Sequence, residues 1–205
     1  MMTKHVIRIM SLGASITAGV PLGGGYRIKL WETAQEKDWN IEFVGSQCNQ
    51  RHEGHPGFHI EQIAQLVDEK LAKFQPQMIL LYIGTNDAEK EDFDIAIVHQ
   101  QLQGLIEQIF RDLPNVELLV TKLGPAVNSK TDANIQKINA VIPDIVRFEK
   151  AQGHQITMVD MSQVLTKQDL VDGIHPTPHG YNKMAEQWAR AIQPLFERMY
   201  EKHRM

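Results

Sequence analysis

Cysteine occurs once in the 205 residues, at Cys48, so no internal disulfide can form and no disulfide framework holds the fold. Long apolar runs are missing as well. The longest, Met78 to Ile83, falls far short of the ~20 residues of a membrane-spanning helix. The run Val6 to Met10, after the opening Met1-Met2-Thr3-Lys4-His5, is too short for the apolar region of a secretory signal, and no small-residue cleavage site follows it. No charge of one sign dominates: 21 Lys and Arg against 25 Asp and Glu leave a net −4, spread along the chain. Such a balance gives no footprint for nucleic acid or an anionic membrane. Repeats, low-complexity tracts and Gly/Ser/Pro-rich linkers are absent, so residues 1–205 read as one domain. The expectation is a soluble, cytoplasmic protein of a reducing compartment, its oligomeric state unread.

What is present is the composition of a globular chain. Hydrophobic residues make up 42%, and a domain of this size buries roughly 70% of its surface, enough for one full core. Short apolar runs at Val6–Met10, Ile41–Val44, Met78–Ile83, Val116–Thr121 and Ile156–Val159 predict five strands. Between them, apolar residues recur at helical spacing. The sets are Tyr26, Ile28, Leu30, Trp31, Ala34; Ile60, Ile63, Ala64, Val67, Leu71; and Phe93, Ile97, Leu102, Leu105, Ile106, Ile109. Two more follow: Ile135, Ile138, Val141, Ile142, Ile145, and then Tyr181, Met184, Trp188, Ile192, Leu195. Ser11-Leu12-Gly13 reads as a turn after the first strand. Pro143 predicts a kink or restart, because proline has no N–H to donate, and Gly153 suits a C-cap. Met78–Ile83 suits a central strand buried on both faces.

Strands alternating with helices imply right-handed βαβ units. The fold class is therefore α/β, with a parallel, flavodoxin-like sheet of about five strands covered on both faces. Ligands on such sheets bind beyond the carboxyl ends of the strands. Those ends carry Ser11–Ser15, Gly45–Gly57, Gly84–Asp87, Gly124–Asn128 and the segment after Val159, where polar residues and glycines collect.

Four segments on that rim can carry chemistry. Gly13-Ala14-Ser15-Ile16-Thr17 puts a serine just after the first strand, at the start of a helical turn. There its hydroxyl is exposed and its N–H unpaired, and a helix N-terminus favours charge developing on an attacked carbonyl. A plain N-cap explains Ser15 at least as well. Asp172-Gly173-Ile174-His175-Pro176 delivers a carboxylate and a base from one loop, as a serine nucleophile requires. Pro176 holds His175 extended and starts the last helix. The same residues suit an ordinary loop, with Asp172 a turn former and His175 merely exposed. In Gly84-Thr85-Asn86-Asp87 the Asn86 amide can donate to an oxyanion; the other reading is a plain turn, and Asp87 is assigned to it as a turn or capping residue. His52-Glu53-Gly54-His55-Pro56-Gly57-Phe58-His59 holds three histidines, but Pro56 and Gly57 preclude the helix of an H-E-x-x-H zinc site. His175 and His179 could also hold a metal, so that reading stays open beside a polar loop. Gly57 offers an N–H that a ligand can approach without a Cβ in the way.

In this order the segments resemble the SGNH hydrolases, the superfamily of GDSL-type esterases and lipases. Gly13-Ala14-Ser15-Ile16-Thr17 is similar to the first block, which carries the nucleophile; Gly57 to the glycine of the second; Asn86 to the asparagine of the third; Asp172 and His175 to the last. The resemblance spans nearly the whole chain and implies a three-layer α/β/α sandwich. Gly25-Tyr26-Arg27 with Leu30-Trp31-Glu32, Phe43-Val44-Gly45-Ser46 and the two histidine-bearing segments resemble the acetyl xylan esterase branch, which implies an O-acetyl esterase of carbohydrates. One departure is Ala14, where the first block usually has Asp. That Asp is not the nucleophile, so its loss bears on support of the loop.

The resulting expectation is a serine ester hydrolase with no metal and no organic cofactor, cleaving short acyl groups from a small-molecule ester such as an acetylated sugar, with neither nucleic acid nor membrane as partner. Ser15 attacks, His175 takes its proton, Asp172 orients His175, and the oxyanion hole is Ser15 N–H, Gly57 N–H and the Asn86 amide. Two alternatives stand beside it. One is a metal-dependent deacetylase built on the histidines. The other, motivated by Ala14, is a non-catalytic carbohydrate- or partner-binding domain on the same fold.

Overall fold

The computed structural model describes residues 6–47 and 51–202. Cys48 and its expected lack of an internal disulfide lie outside those residues, as does the start Met1–His5 read for a leader. The strands are β1 (Ile7–Gly13), β2 (Ile41–Val44), β3 (Glu53–Gly54), β4 (Met78–Tyr82), β5 (Glu117–Lys122) and β6 (Ile156–Asp160). They form one sheet in the order β2-β1-β4-β5-β6, with β3 pairing β1 beyond β2. Every pairing between them is parallel. The five expected strands are all there; β3, two residues long, is too short to leave a periodic signal.

The helices are α1 (Ser15–Ala18), α2 (Tyr26–Glu36), α3 (Ile60–Phe74), α4 (Thr85–Glu89), α5 (Ile95–Asp112), α6 (Ser129–Ala151) and α7 (Pro178–Lys202). They pack in two groups, α2 with α7 and α3 with α5 and α6. β4 is buried at all of its positions between β1 and β5. Full burial of one Leu or Ile is worth about 1.5–3 kcal/mol, so Ile79, Leu80 and Leu81 anchor the sheet from both faces. Tyr181, Met184, Trp188, Ile192 and Leu195 are buried as expected, and Trp188 meets Tyr26 of α2 with ring centroids 5.9 Å apart. Gly153, at φ +89, follows the end of α6 in the left-handed conformation that glycine favours. No helix of the described residues is long and apolar enough to cross a membrane.

Several local expectations are corrected. Ser11-Leu12-Gly13 is strand, not turn: β4 offers ladder partners as far as Tyr82, opposite Gly13, and pairing overrides turn propensity. A Cβ on Gly13 would lie 1.9 Å from the Tyr82 carbonyl oxygen. Pro143 does not restart its helix; α6 runs through it, held by buried Ile138, Ile142 and Ile145 against a propensity penalty of ~3 kcal/mol. The last helix starts at Pro178, not Pro176. Pro176 pairs with Leu170 in an antiparallel bridge, which keeps the chain extended there. Ile28, Trp31 and Ile97 are 52%, 51% and 54% exposed, outside the core. The inner face of α2 is instead Tyr26, Arg27, Leu30 and Ala34. Phe93 precedes α5, whose start is set by Asp94 accepting the Ala96 N–H at 2.8 Å.

Candidate active site

Ser15 opens α1, a single turn ended by Gly19 at φ +91. No side chain caps that turn, so the N-cap reading of Ser15 falls. Its Oγ instead lies 2.8 Å from Nε2 of His175. The turn is braced from below by buried Arg27, which donates to the Thr17 carbonyl and, at 3.2 Å, to that of Ala18. These are carbonyls that a helix end leaves without partners.

His175 sits on a loop pinned at its root. Buried Asp169 accepts the Thr166 N–H and Oγ1 at 2.8 Å each and Lys183 Nζ at 2.9 Å. Burial works against that carboxylate, but Lys183 and Thr166 outweigh it and hold the carboxyl down to about 2. The Thr177 N–H donates to the Asp169 carbonyl at 2.7 Å and the Val171 N–H to that of His175 at 2.8 Å. Within this frame Asp172 does two things. Its Oδ1 accepts the Ile174 and His175 N–H groups at 3.1 and 2.9 Å, while Oδ2 lies 2.7 Å from His175 Nδ1. Turn former and ring partner, offered as alternatives by the sequence, are one carboxylate. Burial pushes its carboxyl up, and the hydrogen bonds from His175 and Ile174 overcome this and hold it below the usual range. A carboxylate accepts only, so the proton stays on Nδ1 and the Nε2 lone pair faces Ser15. Such an arrangement can take the hydroxyl proton and stabilise the imidazolium that results.

Gly57 lies in the turn His55-Pro56-Gly57-Phe58, closed by the Phe58 N–H on the His55 carbonyl at 3.1 Å. With Pro second and Gly third at φ +82, this is the type II pattern. A Cβ on Gly57 would meet nothing within 4 Å, so left-handed backbone, not crowding, selects glycine. The turn is tied to β1 by the His55 N–H on the Gly13 carbonyl at 2.9 Å. Asn86, in α4, donates Nδ2–H to the Phe58 carbonyl at 2.7 Å and keeps a second amide N–H. Neither the Ser15 nor the Gly57 N–H has an acceptor among the described residues. Asn86 shares with Ala14, Ser15 and Ile83 a recess of about 10 Å³, and with Gly57, Glu89 and Lys90 an open cleft of about 280 Å³. The structure thus gathers Ser15, Gly57, Asn86, Asp172 and His175 at the carboxyl ends of the strands.

The other histidines have separate neighbours. His52 Nδ1 accepts the Gly54 N–H at 2.9 Å, and burial, then the Arg27 charge, push its imidazole down to about 4. His59 Nδ1 is 3.6 Å from Asp87 Oδ1. Among the described residues no three His, Cys, Asp or Glu side chains gather as a metal site. Asp87, wholly buried, accepts the Ile60 N–H at 3.2 Å, so it is a capping residue, that of α3; burial pushes its carboxyl up. Glu53 and Arg27 carry roles that sequence reasoning missed. Buried Glu53 accepts the Ser46 N–H, the Ser46 hydroxyl at 3.0 Å and His55 Nε2 at 2.8 Å, and the His55 ring stacks on Phe58 at 5.0 Å. Burial opposes the Glu53 charge, but those bonds prevail and hold its carboxyl low. The acid-x-His spacing beside Gly57 is the signal that could have found it.

Residues 11–183 match the GDSL-like lipase/acylhydrolase family. The chain is 30% identical to the solved family 3 carbohydrate esterase of Clostridium thermocellum, with a TM-score of 0.83 over 96% of this chain and 100% of that one. It is 27% identical over 222 residues to a multidomain esterase of Ruminococcus flavefaciens, covering 91% of this chain. An acetylxylan esterase of Xylanibacter ruminicola is 25% identical over 218 residues, covering 93%. The chain spans 28% and 44% of the length of those two relatives.

Proposed function

The chain belongs to the GDSL-like lipase/acylhydrolase family, and we propose that this esterase removes acetyl groups from carbohydrates through an acyl-enzyme on Ser15. One observation carries the reading: Ser15 Oγ, His175 and Asp172 form a continuous hydroxyl–imidazole–carboxylate line with contacts of 2.8 and 2.7 Å. As Ser15 Oγ bonds to the ester carbonyl carbon, its proton passes to His175 Nε2, and Asp172 stabilises the imidazolium. The carbonyl oxygen, now negative, takes hydrogen bonds from the Ser15 N–H, the Gly57 N–H and the second Asn86 amide N–H. Removing one such donor typically costs about 10²–10³ in rate. Collapse breaks the ester C–O bond while His175 returns the proton to the leaving alcohol. Water, deprotonated by His175, then attacks the acyl carbon; the bond from Ser15 Oγ to that carbon breaks, His175 returns the proton to Oγ, and acetate leaves. The steps call on no metal or organic cofactor.

The acyl side follows from size. A recess of about 10 Å³ beside Ser15 has room for about one water-sized group, which suits the methyl of acetate. The carbohydrate side is supported by the relatives named for carbohydrate and acetylxylan ester cleavage. The test is a panel of aryl acetate, butyrate and octanoate at matched soluble concentrations, together with acetylated sugars, run on wild type and Ser15→Ala. Acetyl esters should turn over fastest, sugars should release acetate, a fluorophosphonate should label wild type alone, and a chelator should leave the rate unchanged. Faster octanoate cleavage, full activity in Ser15→Ala or loss to the chelator would overturn the reading.

A further inference from the structure

We propose that the cleft bounded by Gly57, His59, Asn86, Glu89 and Lys90 is the subsite for the sugar that carries the scissile acetyl group, and that Glu89 and Lys90 determine its specificity. The proposal rests on the function proposed above and adds where the alcohol half of the substrate lies. Asn86 lines both the recess beside Ser15 and this cleft, so the two are contiguous at its side chain. An ester whose carbonyl oxygen is held by Gly57 and Asn86 has two remaining substituents. The recess accepts little beyond a methyl. The larger alcohol must therefore leave the carbonyl carbon on the open side, where the cleft begins. Its oxygen must also stay near His175, which returns the proton. The charges of His175 and Asp172 both act on Glu89, which is consistent with the cleft lying near them.

Size and chemistry agree with this placement. About 280 Å³ lies just under the ~300–1,000 Å³ of small-molecule pockets, which is room for one sugar ring, with the open mouth free for a longer chain. Such pockets are mostly apolar, whereas four of the five residues that line this one, His59, Asn86, Glu89 and Lys90, are polar or charged. That lining suits a ligand dense in hydroxyls: Glu89 accepts, Lys90 donates, and His59 does either. Glu89 is exposed, and no hydrogen bond or ion pair holds it among the described residues. The two side chains are also well placed relative to the oxyanion donors. Glu89 ends the helix that holds Asn86, and Lys90 is its C-cap. Buried Asp87 lies 3.8 Å from Lys90 Nζ and 3.6 Å from His59 Nδ1, which ties both basic side chains to one carboxylate.

The test compares two acetyl esters that differ only on the alcohol side, an acetylated xyloside and an aryl acetate without hydroxyls, in wild type, Glu89→Ala, Lys90→Ala and Glu89→Gln. The ratio of kcat/KM for sugar over aryl acetate should fall at least about tenfold in each alanine variant, mainly through KM for the sugar, and Glu89→Gln should recover most of it by keeping an acceptor. General damage to the fold would move both substrates together and leave the ratio unchanged. An unchanged ratio, in protein that still labels with fluorophosphonate at the wild-type rate, overturns the subsite. Wild type that cleaves the aryl acetate but no acetylated sugar overturns the carbohydrate reading itself, so the two failures are told apart.

Discussion

Two acid–histidine pairs stand at the same end of the sheet, Glu53 with His55 at 2.8 Å and Asp172 with His175 at 2.7 Å. Their surroundings differ. The Glu53 side chain is wholly buried and shared with Ser46, and its histidine lays its ring on Phe58. The Asp172 side chain is 51% exposed, and its histidine turns the second nitrogen to Ser15. The third member decides what the pair does. Against an aromatic ring, the pair is a clamp on the turn whose Phe58 carbonyl holds Asn86. Against a hydroxyl, the pair has the geometry of a base. Counting histidines in the sequence cannot separate these cases; the partner of each ring nitrogen can.

The largest effect should come from the second pair. Asp172→Asn keeps an oxygen for the turn but loses the charge, so kcat should fall at least about tenfold while KM changes little. Half-exposure screens the carboxylate, which should keep the loss below the ~10⁴ of the Asp-to-Asn change in serine-protease triads. His175→Ala should lose at least as much, and the double variant little more, because the two act as a unit. Wild-type kcat in folded Asp172→Asn would leave a Ser15–His175 dyad.

The first pair should respond in stability before activity. Glu53→Ala leaves the Ser46 N–H and the His55 ring without their buried acceptor, a penalty of about 1–3 kcal/mol. For a chain this long, that lowers Tm by roughly 2–12 °C. Calorimetry with parallel kinetics checks it: a kcat loss as large as that of Asp172→Asn, at unchanged Tm, would erase the contrast between clamp and base.

His52, on the clamp's own loop, gives a smaller effect with a defined sign. The unfolded chain takes a proton there near pH 6.5, whereas the folded chain resists until about 4. Stability from this group is complete above 6.5 and is lost as the pH falls toward 4. Asp169 follows below it, complete above ~3.9 and lost toward about 2. Tm should therefore decline in two stages on acidification, and His52→Asn, which keeps an acceptor for the Gly54 N–H, should flatten the first. A Tm independent of pH between 6.5 and 4 in wild type would contradict the burial argument. Smallest of all, Ala14→Asp should leave kcat/KM within about tenfold, ~1.4 kcal/mol of barrier. A gain of several orders of magnitude would mark the present chain as a degenerate enzyme.

The fold and the five convergent residues were legible because both rest on local signals: alternating periodicity, and short polar segments at strand ends. What was hidden depends on neighbours distant in sequence. Ser11-Leu12-Gly13 has turn composition but becomes strand because β4 extends alongside. Pro143 should interrupt a helix in isolation, yet packing carries α6 through it. Ile28 and Trp31 have the right spacing for a core stripe, but α2 is rotated to put Arg27 inside, under the α1 carbonyls. Glu53 was passed over because an acid in a polar loop looks solvated until Ser46 and His55 enclose it.

Ser15 and His175 are 160 residues apart in the chain. A polypeptide emerging from the ribosome therefore displays Ser15 well before His175 has been made, and domains assemble from the N-terminal end. Contacts between such distant residues bear the largest loop-closure entropy and form late. Under the proposed mechanism turnover is a clock for the end of folding. In a refolding experiment the helical circular dichroism should return first and ester cleavage afterwards, the interval measuring how long α7 and the loop before it take to dock.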